Sequence, residues 1–355
     1  MENSNFVSQT IADWYLSNRR DLPWRNTRDP YKIWISEIIL QQTRVVQGLD
    51  YYLRFVGRFP TIDSLAEADE QEVLKYWQGL GYYSRARNLH ATAQRLKTEF
   101  NSCFPSDYRT VLSLKGIGEY TAAAIVSFAF NQAYPTVDGN VFRVLSRLFA
   151  IAIPIDSGKG KAYFTELAGR LIDKADPGLF NQALMEFGAL QCVPGQPDCA
   201  ACPLQPKCEA FAANAVLRLP VKQHQTKTKE VFLYYFHIRH NDRFYLVKRQ
   251  EKGIWRNLFE FPCVESEKTL SFERLVETAA FQSIFPASTG LDFKLVIQNR
   301  KHVLSHRIVY ATFYEVDCSE IASRQTDSLR EAIQVSPEDL ENYPLHRLME
   351  LYFEK

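Results

Sequence analysis

Four cysteines dominate the chemistry that the sequence offers. Cys192-x6-Cys199-x2-Cys202-x5-Cys208 packs them into 17 residues, interrupted by Pro194, Pro197, Pro203 and Pro206. Thiolates that close together can surround one soft metal centre, and prolines stiffen the loop so that ordering it costs less entropy. Only seven cysteines occur in 355 residues, too few for a disulfide scaffold. Zinc sites usually pair two short Cys-x2–4-Cys knuckles, whereas this loop has one. The spacing therefore leans towards an iron–sulfur centre and leaves zinc open.

Three further features could do chemistry. Glu37 lies in Ile35-Ser36-Glu37-Ile38-Ile39-Leu40, and helical spacing puts Ile33, Trp34, Leu40 and Gln41 around it. An acid buried among such neighbours keeps its proton towards neutral pH and can serve as a general acid; on a solvated face it would do nothing. Lys115-Gly116-Ile117-Gly118 precedes a helix. Its glycines permit a tight turn and leave amides bare at the positive helix end, a site for a phosphate or simply a turn between helices. Asp138, twenty residues after Gly118 in Val137-Asp138-Gly139-Asn140-Val141, reads either as a helix N-cap or as an active-site carboxylate.

These groups need elements to position them. From Phe6 to about Ala213 the pattern is mostly helical, with no convincing strand before residue 215. Asp29-Pro30 reads as N-cap and first helical residue of a helix running through Ile39. Helical spacing also marks Ser64–Leu74, Arg85–Leu96, Glu119–Phe130, Val141–Phe149 and Tyr163–Ile172, with a break at Gly79–Gly81. After a polar, basic stretch at Pro220–Glu230 come strand-like runs at Val231–Ile238, Phe244–Lys248, Leu295–Gln298 and Ile308–Val316. Helical patterns at Phe272–Phe281 and Leu345–Phe353 make this half α+β. The expected division is a helical domain over 1–215, a linker over 216–229 and a second domain over 230–355. Hydrophobic residues at 46% and charged residues at 23% exclude wholesale disorder. No apolar run is long enough for a membrane span, and no signal peptide opens the chain, so a cytoplasmic protein is expected. The net charge of +1, balanced in both halves, argues against long-range attraction to nucleic acid. It leaves room for a backbone gripped locally by helix-end amides, with Lys115 nearby.

Taken together, the glycine hairpin, the downstream aspartate and the cysteine loop resemble the helix–hairpin–helix DNA glycosylases that carry a 4Fe–4S cluster. The resemblance covers residues 1–215. It implies an all-α, two-lobed domain that flips a nucleotide out of double-stranded DNA and cleaves its N-glycosidic bond. Cys192, Cys199, Cys202 and Cys208 would ligate the cluster, and the protein would act as a monomer associated with the bacterial nucleoid. The endonuclease III-like branch carries a Schiff-base lysine two residues after the second glycine. Here that residue is Tyr120, which cannot form an imine.

The segment around Glu37 resembles the catalytic helix of MutY-type adenine DNA glycosylases. That likeness implies that protonated Glu37 meets adenine N7, and that Asp138 faces the sugar cation as a stabiliser or covalent partner. Tyr120 would bond to Asp138 or Glu37, and Asn140 would position the base or the water. By the same analogy Trp24 and Arg25 contact the flipped adenine. Gln42, Thr43 and Tyr82 would bind the DNA, Tyr82 within a segment, Leu80–Asn88, that looks like a lining of the base pocket and groove; Gln42 and Tyr82 would wedge into the gap, and Gly116 and Gly118 hold the backbone.

Gly253-Ile254-Trp255-Arg256-Asn257-Leu258-Phe259-Glu260-Phe261-Pro262 resembles the entry to the Nudix-like domain of that family. Glu273 and Glu277 do not form the acidic Mg²⁺-binding helix of Nudix hydrolases, so nucleotide hydrolysis is not expected. His302-Val303-Leu304-Ser305-His306-Arg307 looks like the loop that recognises 8-oxoguanine opposite the adenine. Ser305 and His306 would supply the hydrogen bonds, and Leu304 stands where some relatives have an aromatic. The implied substrates are 8-oxoguanine:A and G:A mispairs. The alternatives are an endonuclease III-like pyrimidine glycosylase–lyase and a non-catalytic iron–sulfur DNA-binding protein.

Overall fold

A computed structural model of the chain describes residues 2–224, 228–250, 253–286, 291–317 and 332–354. The chain divides into two compact units, Met1–Glu67 with Asn88–Gln225 and Ala68–Arg87 with Thr226–Lys355. The stretch 68–87, which composition groups with the helical half, is thus part of the second unit.

The first unit is helical throughout its described residues. It contains α1 (Glu2–Asn18), α2 (Pro30–Ile39), α3 (Val45–Arg58) and α4 (Ile62–Ala66). The second unit takes α5 (Glu70–Trp77) and the first turn of α6 (Ser84–Phe100). The first then continues with α7 (Tyr108–Leu112), α8 (Glu119–Phe130), α9 (Gly139–Leu148), α10 (Gly158–Leu171), α11 (Pro177–Leu190) and α12 (Glu209–Ala212).

Helix α2 starts as its sequence dictates. The Asp29 carboxylate accepts from Tyr31 N (2.9 Å), and Pro30 takes the first helical position. Tyr31 and every residue from Ile33 to Ile39 are buried, because an apolar surface on nearly every side leaves no face for water. It packs on α3 and on α8, whose Ala122, Ala123 and Ala124 let backbones approach closely. Helix α11 repeats the Asp-Pro start at Asp176-Pro177 and packs against α1, α8 and α9. A Cβ at Gly188 would meet Asn140 Cβ at 2.7 Å, so α11 can lie this close to the start of α9 only with glycine there. A core of Val141, Leu145, Phe164, Phe180, Leu184 and Phe187 holds these helices and reaches the cysteine loop.

The single helix expected over Ser64–Leu74 is two. Asp69 accepts from Gln71 N (2.7 Å), and this cap begins α5 afresh. The expected Arg85–Leu96 lies within the slightly longer α6, which runs four residues further at its end.

The second unit is a mixed sheet with short helices, an α+β arrangement. Strands β1 (Lys229–His240), β2 (Arg243–Lys248), β3 (Phe259–Glu260), β5 (Phe293–Val303) and β6 (Arg307–Asp317) run in the order β3-β2-β1-β6-β5. Strand β4 (Cys263–Ser266) pairs with β1, and β7 (Ile333–Val335) with β2. The centre is the parallel pair β1–β6, in register from Lys229 opposite Arg307 to Arg239 opposite Asp317. The helix expected over Phe272–Phe281 is two, α13 (Phe272–Val276) and α14 (Ala279–Ile284), separated where Thr278 caps the second. Helix α15 (Arg347–Phe353) ends the described chain. Strand β5 outruns the expected Leu295–Gln298. Register shifts beside Ile297 interrupt its alternation, which hides the rest of it from a period-two reading.

Candidate active site

Glu37 sits in the last turn of α2, 6% exposed, on the wall of a cavity of about 590 Å³. Trp24, Arg25, Gln42, Thr43, Tyr120, Asp138 and Asn140 line the same cavity. Tyr120, in the first turn of α8, donates its hydroxyl to Glu37 Oε2 (2.8 Å), with Met185 Sδ 3.9 Å away. The two readings left open for this phenol resolve to Glu37.

Asp138 is at once an N-cap and a cavity carboxylate. Its Oδ1 accepts from Asn140 N (2.9 Å) and Val141 N (2.8 Å), and Oδ2 accepts from Asn140 Nδ2 (2.8 Å). Arg143 Nη2 donates to Asn140 Oδ1 (2.8 Å), which fixes the amide so that its nitrogen faces Asp138.

The pair of acids is electrically unequal. Burial pushes Glu37 up to about 7; the Tyr120 hydrogen bond and Arg25 pull it down, and the nearby Asp138 pushes it further up. Burial also raises Asp138, but three donated hydrogen bonds and Arg143 favour its ionised form. Glu37 has one donor against Asp138's three, so its surroundings favour the protonated form more than those of Asp138 do.

Arg25 lines the cavity with both terminal nitrogens committed to Glu186, each 2.6 Å from a carboxylate oxygen. Arg20 Nε (2.8 Å), Nη2 (2.5 Å) and backbone N (3.1 Å) reach the same carboxylate. Glu186 is 1% exposed and held down to about 2, because these hydrogen bonds and charges outweigh its burial. The sequence reading missed this residue. Asp176-Pro177 ahead of an apolar run announces α11 just as Asp29-Pro30 announces α2, and Glu186 is as out of place there as Glu37. Trp24 is buried and packs edge-on against Tyr52, with centroids 5.0 Å apart. Gln42 is exposed at φ +56, and Thr43 Oγ1 donates back to Gln41 O (3.3 Å).

At the glycine hairpin the two glycines differ. Gly116 is left-handed (φ +81), and a Cβ there would meet Asn88 Cβ at 2.7 Å. Gly118 is the N-cap of α8 in extended backbone; among the described residues a Cβ there would meet nothing within 4 Å, and no side chain makes a cap hydrogen bond. The Lys115 side chain is exposed, while its carbonyl accepts from Thr92 Oγ1 (2.8 Å).

The four cysteines are free thiols, half-buried, and three of them pack on the core of the helical unit. Burial and their mutual charges raise Cys199 and Cys208, and raise Cys202 to about 11. Two buried arginines of α9 tie down the loop. Arg143 Nε donates to Cys192 O (2.7 Å), and Arg147 Nη1 donates to Val193 O (2.8 Å) and lies 3.5 Å from Cys192 Sγ. Among the described residues, no three His, Cys, Asp or Glu side chains stand close enough together to hold a single metal ion.

Tyr82, Ser305 and His306 belong to the second unit, where they line one cavity of about 460 Å³. Ser305 and His306 are exposed at the tip of the β5–β6 hairpin, closed by Leu304 N donating to Arg307 O (2.8 Å). Ser305 Oγ lies 3.2 Å from His306 Nδ1. Tyr82 has φ +48, and Arg85 stacks over it while donating to Gly81 O (3.2 Å). Gln42 and Tyr82, both expected as wedges, line one cavity in each unit.

Residues 35–165 match the model of the HhH-GPD superfamily of base excision DNA repair proteins, and residues 234–355 match that of the NUDIX domain. An adenine DNA glycosylase of Buchnera aphidicola subsp. Baizongia pistaciae is 38% identical over 312 residues, 85% of this chain and 83% of its own. One from Arabidopsis thaliana is 40% identical over 298 residues, 73% of this chain and 47% of its own. Among solved structures, a thermostable thymine-DNA glycosylase is similar with a TM-score of 0.56 and 29% identity, over 60% of this chain and 98% of that one.

Proposed function

The chain belongs to the adenine DNA glycosylase family, and from that premise we propose that it removes adenine from double-stranded DNA where the base stands opposite 8-oxoguanine or guanine. It is a DNA N-glycosylase of base excision repair, and DNA is its partner. The observation that carries the mechanism is the buried Glu37, hydrogen-bonded by Tyr120 in one cavity with Asp138.

Adenine flips into that cavity, and the Glu37 carboxyl gives its proton to N7. The C1′–N9 electrons leave with the base, now neutral adenine, and positive charge develops on the sugar. Asp138, ionised by its three donors, stabilises that charge. Water then adds to C1′ and returns a proton to Glu37, so the acid is restored. Asn140, locked by Arg143, keeps the Asp138 carboxylate oriented. Tyr120 offers no amine, so the reaction ends at the abasic site without strand cleavage.

Cys192, Cys199, Cys202 and Cys208 would hold a 4Fe–4S cluster. The four thiols act on one another's charge and so share one locality, and an all-thiolate donor set suits an iron–sulfur centre. When bound, the cluster supplies a cross-link that fixes the loop beside α9. Ser305 and His306 would read the altered edge of 8-oxoguanine.

Single-turnover adenine release from 8-oxoguanine:A and G:A duplexes tests the assignment. Release from both, faster from the first, with no borohydride-trapped adduct, is expected. A strong trapped adduct on oxidised-pyrimidine DNA with no adenine release overturns it.

A further inference from the structure

The turn over 253–258, between β2 and β3, is held by more constraints than a surface connection needs. Trp255 and Asn257 are both left-handed, at φ +61 and +67. A bulky side chain keeps such a backbone only when its surroundings enforce it, and such positions cluster at binding sites. Leu258 N donates to Trp255 O (3.0 Å), and Asn257 N donates to Arg249 O (2.8 Å). The indole stacks on the His346 imidazole, with centroids 4.0 Å apart and planes 12° from parallel. His346 has no exposed surface, and its Nε2 lies 3.1 Å from Glu260 Oε2. Glu260 is fixed in turn by Tyr235 Oη (3.1 Å) and Arg249 Nη1 (2.9 Å). The plane of one indole is therefore set by a series of four side chains, three of them buried and the fourth, Arg249, half-buried.

That indole is part of the wall of the 460 Å³ cavity, with Tyr82, Leu304, Ser305 and His306. We infer that Trp255 is a specificity-determining residue: with Tyr82 it supplies the flat wall against which the base opposite the adenine is read, while Ser305 and His306 address that base's polar edge. The inference rests on the proposed reading of this cavity as the lesion-recognition site. Its chemical basis is geometric. Guanine and 8-oxoguanine share their faces and differ at one edge, so a hydroxyl and an imidazole discriminate only if the ring plane is fixed first. Aromatic walls fix a plane without preferring either base. Trp255 therefore governs discrimination, and His346 acts through it as a positioning residue.

The test uses the full-length protein and duplexes carrying adenine opposite 8-oxoguanine or guanine. The readout is the ratio of single-turnover excision rates for the two mispairs. Trp255→Leu is expected to lower the ratio at least fivefold, and Trp255→Phe, which keeps a stacking ring, to restore most of it. Thermal unfolding of each variant identifies any that has lost its fold, and a duplex with an uncleavable 2′-fluoro-adenosine then gives the affinity ratio of Trp255→Phe alone. A wild-type ratio in a folded Trp255→Leu protein, with Ser305→Ala lowered, overturns the role of Trp255 and leaves the cavity's reading intact. Wild-type ratios in both variants overturn the reading of the cavity itself.

Discussion

At the scale of single residues, the proposed mechanism turns on Glu37 being the acid that keeps its proton. Glu37→Gln preserves shape and removes the proton, and single-turnover adenine excision should fall by about 10²–10⁴-fold, the usual worth of a general acid. In that mechanism the protonated carboxyl is the competent form, and burial pushes it up to about 7, so excision should be flat below that pH and decline above it. The Tyr120 hydroxyl pulls that value down, so Tyr120→Phe should move the declining limb to higher pH. A rate that climbs through neutral pH would contradict both statements. The same burial costs stability. A carboxyl raised in the folded state binds its proton more tightly folded than unfolded, so its contribution is lost as pH rises from the unfolded value to about 7. Glu37→Gln should therefore be more stable than the wild type at pH 8, by about 3 kcal/mol at most, and no more stable at pH 4, as read by urea unfolding. Glu186 has the opposite sign: its ion pairs contribute above the ordinary carboxylate range and are lost as pH falls towards 2. Glu37 is legible in the sequence because it conflicts with its apolar neighbours, and Asp138 because of its place twenty residues after Gly118. Glu186 has the same local conflict, but its meaning comes from Arg20 and Arg25, which lie far away in the chain, and no local pattern pairs them.

Helices and turns are legible where caps mark them. Asp29-Pro30 defines α2 to the residue, and the small-residue run of α8 is found where expected. Capping residues inside an apolar pattern mislead instead, as Asp69 and Thr278 show by dividing helices that periodicity joins. The glycine hairpin shows what spacing alone cannot tell. The sequence treats its two glycines alike, whereas only Gly116 has a backbone and a neighbour that exclude a side chain. Gly116→Ala should lower stability by about 1–3 kcal/mol, measured by thermal unfolding. Gly118→Ala should fold normally and weaken DNA binding in a filter-binding titration, because its methyl group occupies the space where a phosphate meets the α8 amides. Equal loss of stability in both variants would remove that distinction. With the proposed cluster bound, the purified protein should absorb broadly in the visible range and Cys199→Ser should bleach that absorption; an unchanged spectrum would overturn the ligand assignment of Cys199.

On the scale of the whole chain, composition locates the change from helical to α+β character but not the spatial division. Residues 68–87 read as helix among helices, yet their partners come from the far end of the sequence. Leu345 N donates to Gln78 Oε1 (3.1 Å), Tyr83 Oη to Leu345 O (3.3 Å), and Arg87 Nη1 to Arg256 O (2.8 Å). Deleting 230–355 should weaken the preference for 8-oxoguanine:A over G:A, but it also strips the Tyr82 loop of these contacts. Ser305→Ala in the intact protein separates the two effects. A preference lost only on deletion would assign it to the Tyr82 loop.

This interleaving sets a rule for recombining such enzymes. A chimaera cut at the linker would carry a foreign α5 and Tyr82 loop beneath the transplanted sheet, with Gln78, Tyr83 and Arg87 answering to a partner they were not matched to. If the second unit carries the proposed opposite-base preference, its exchange between relatives requires two grafts, one of them only twenty residues long and embedded in the half that is meant to stay behind.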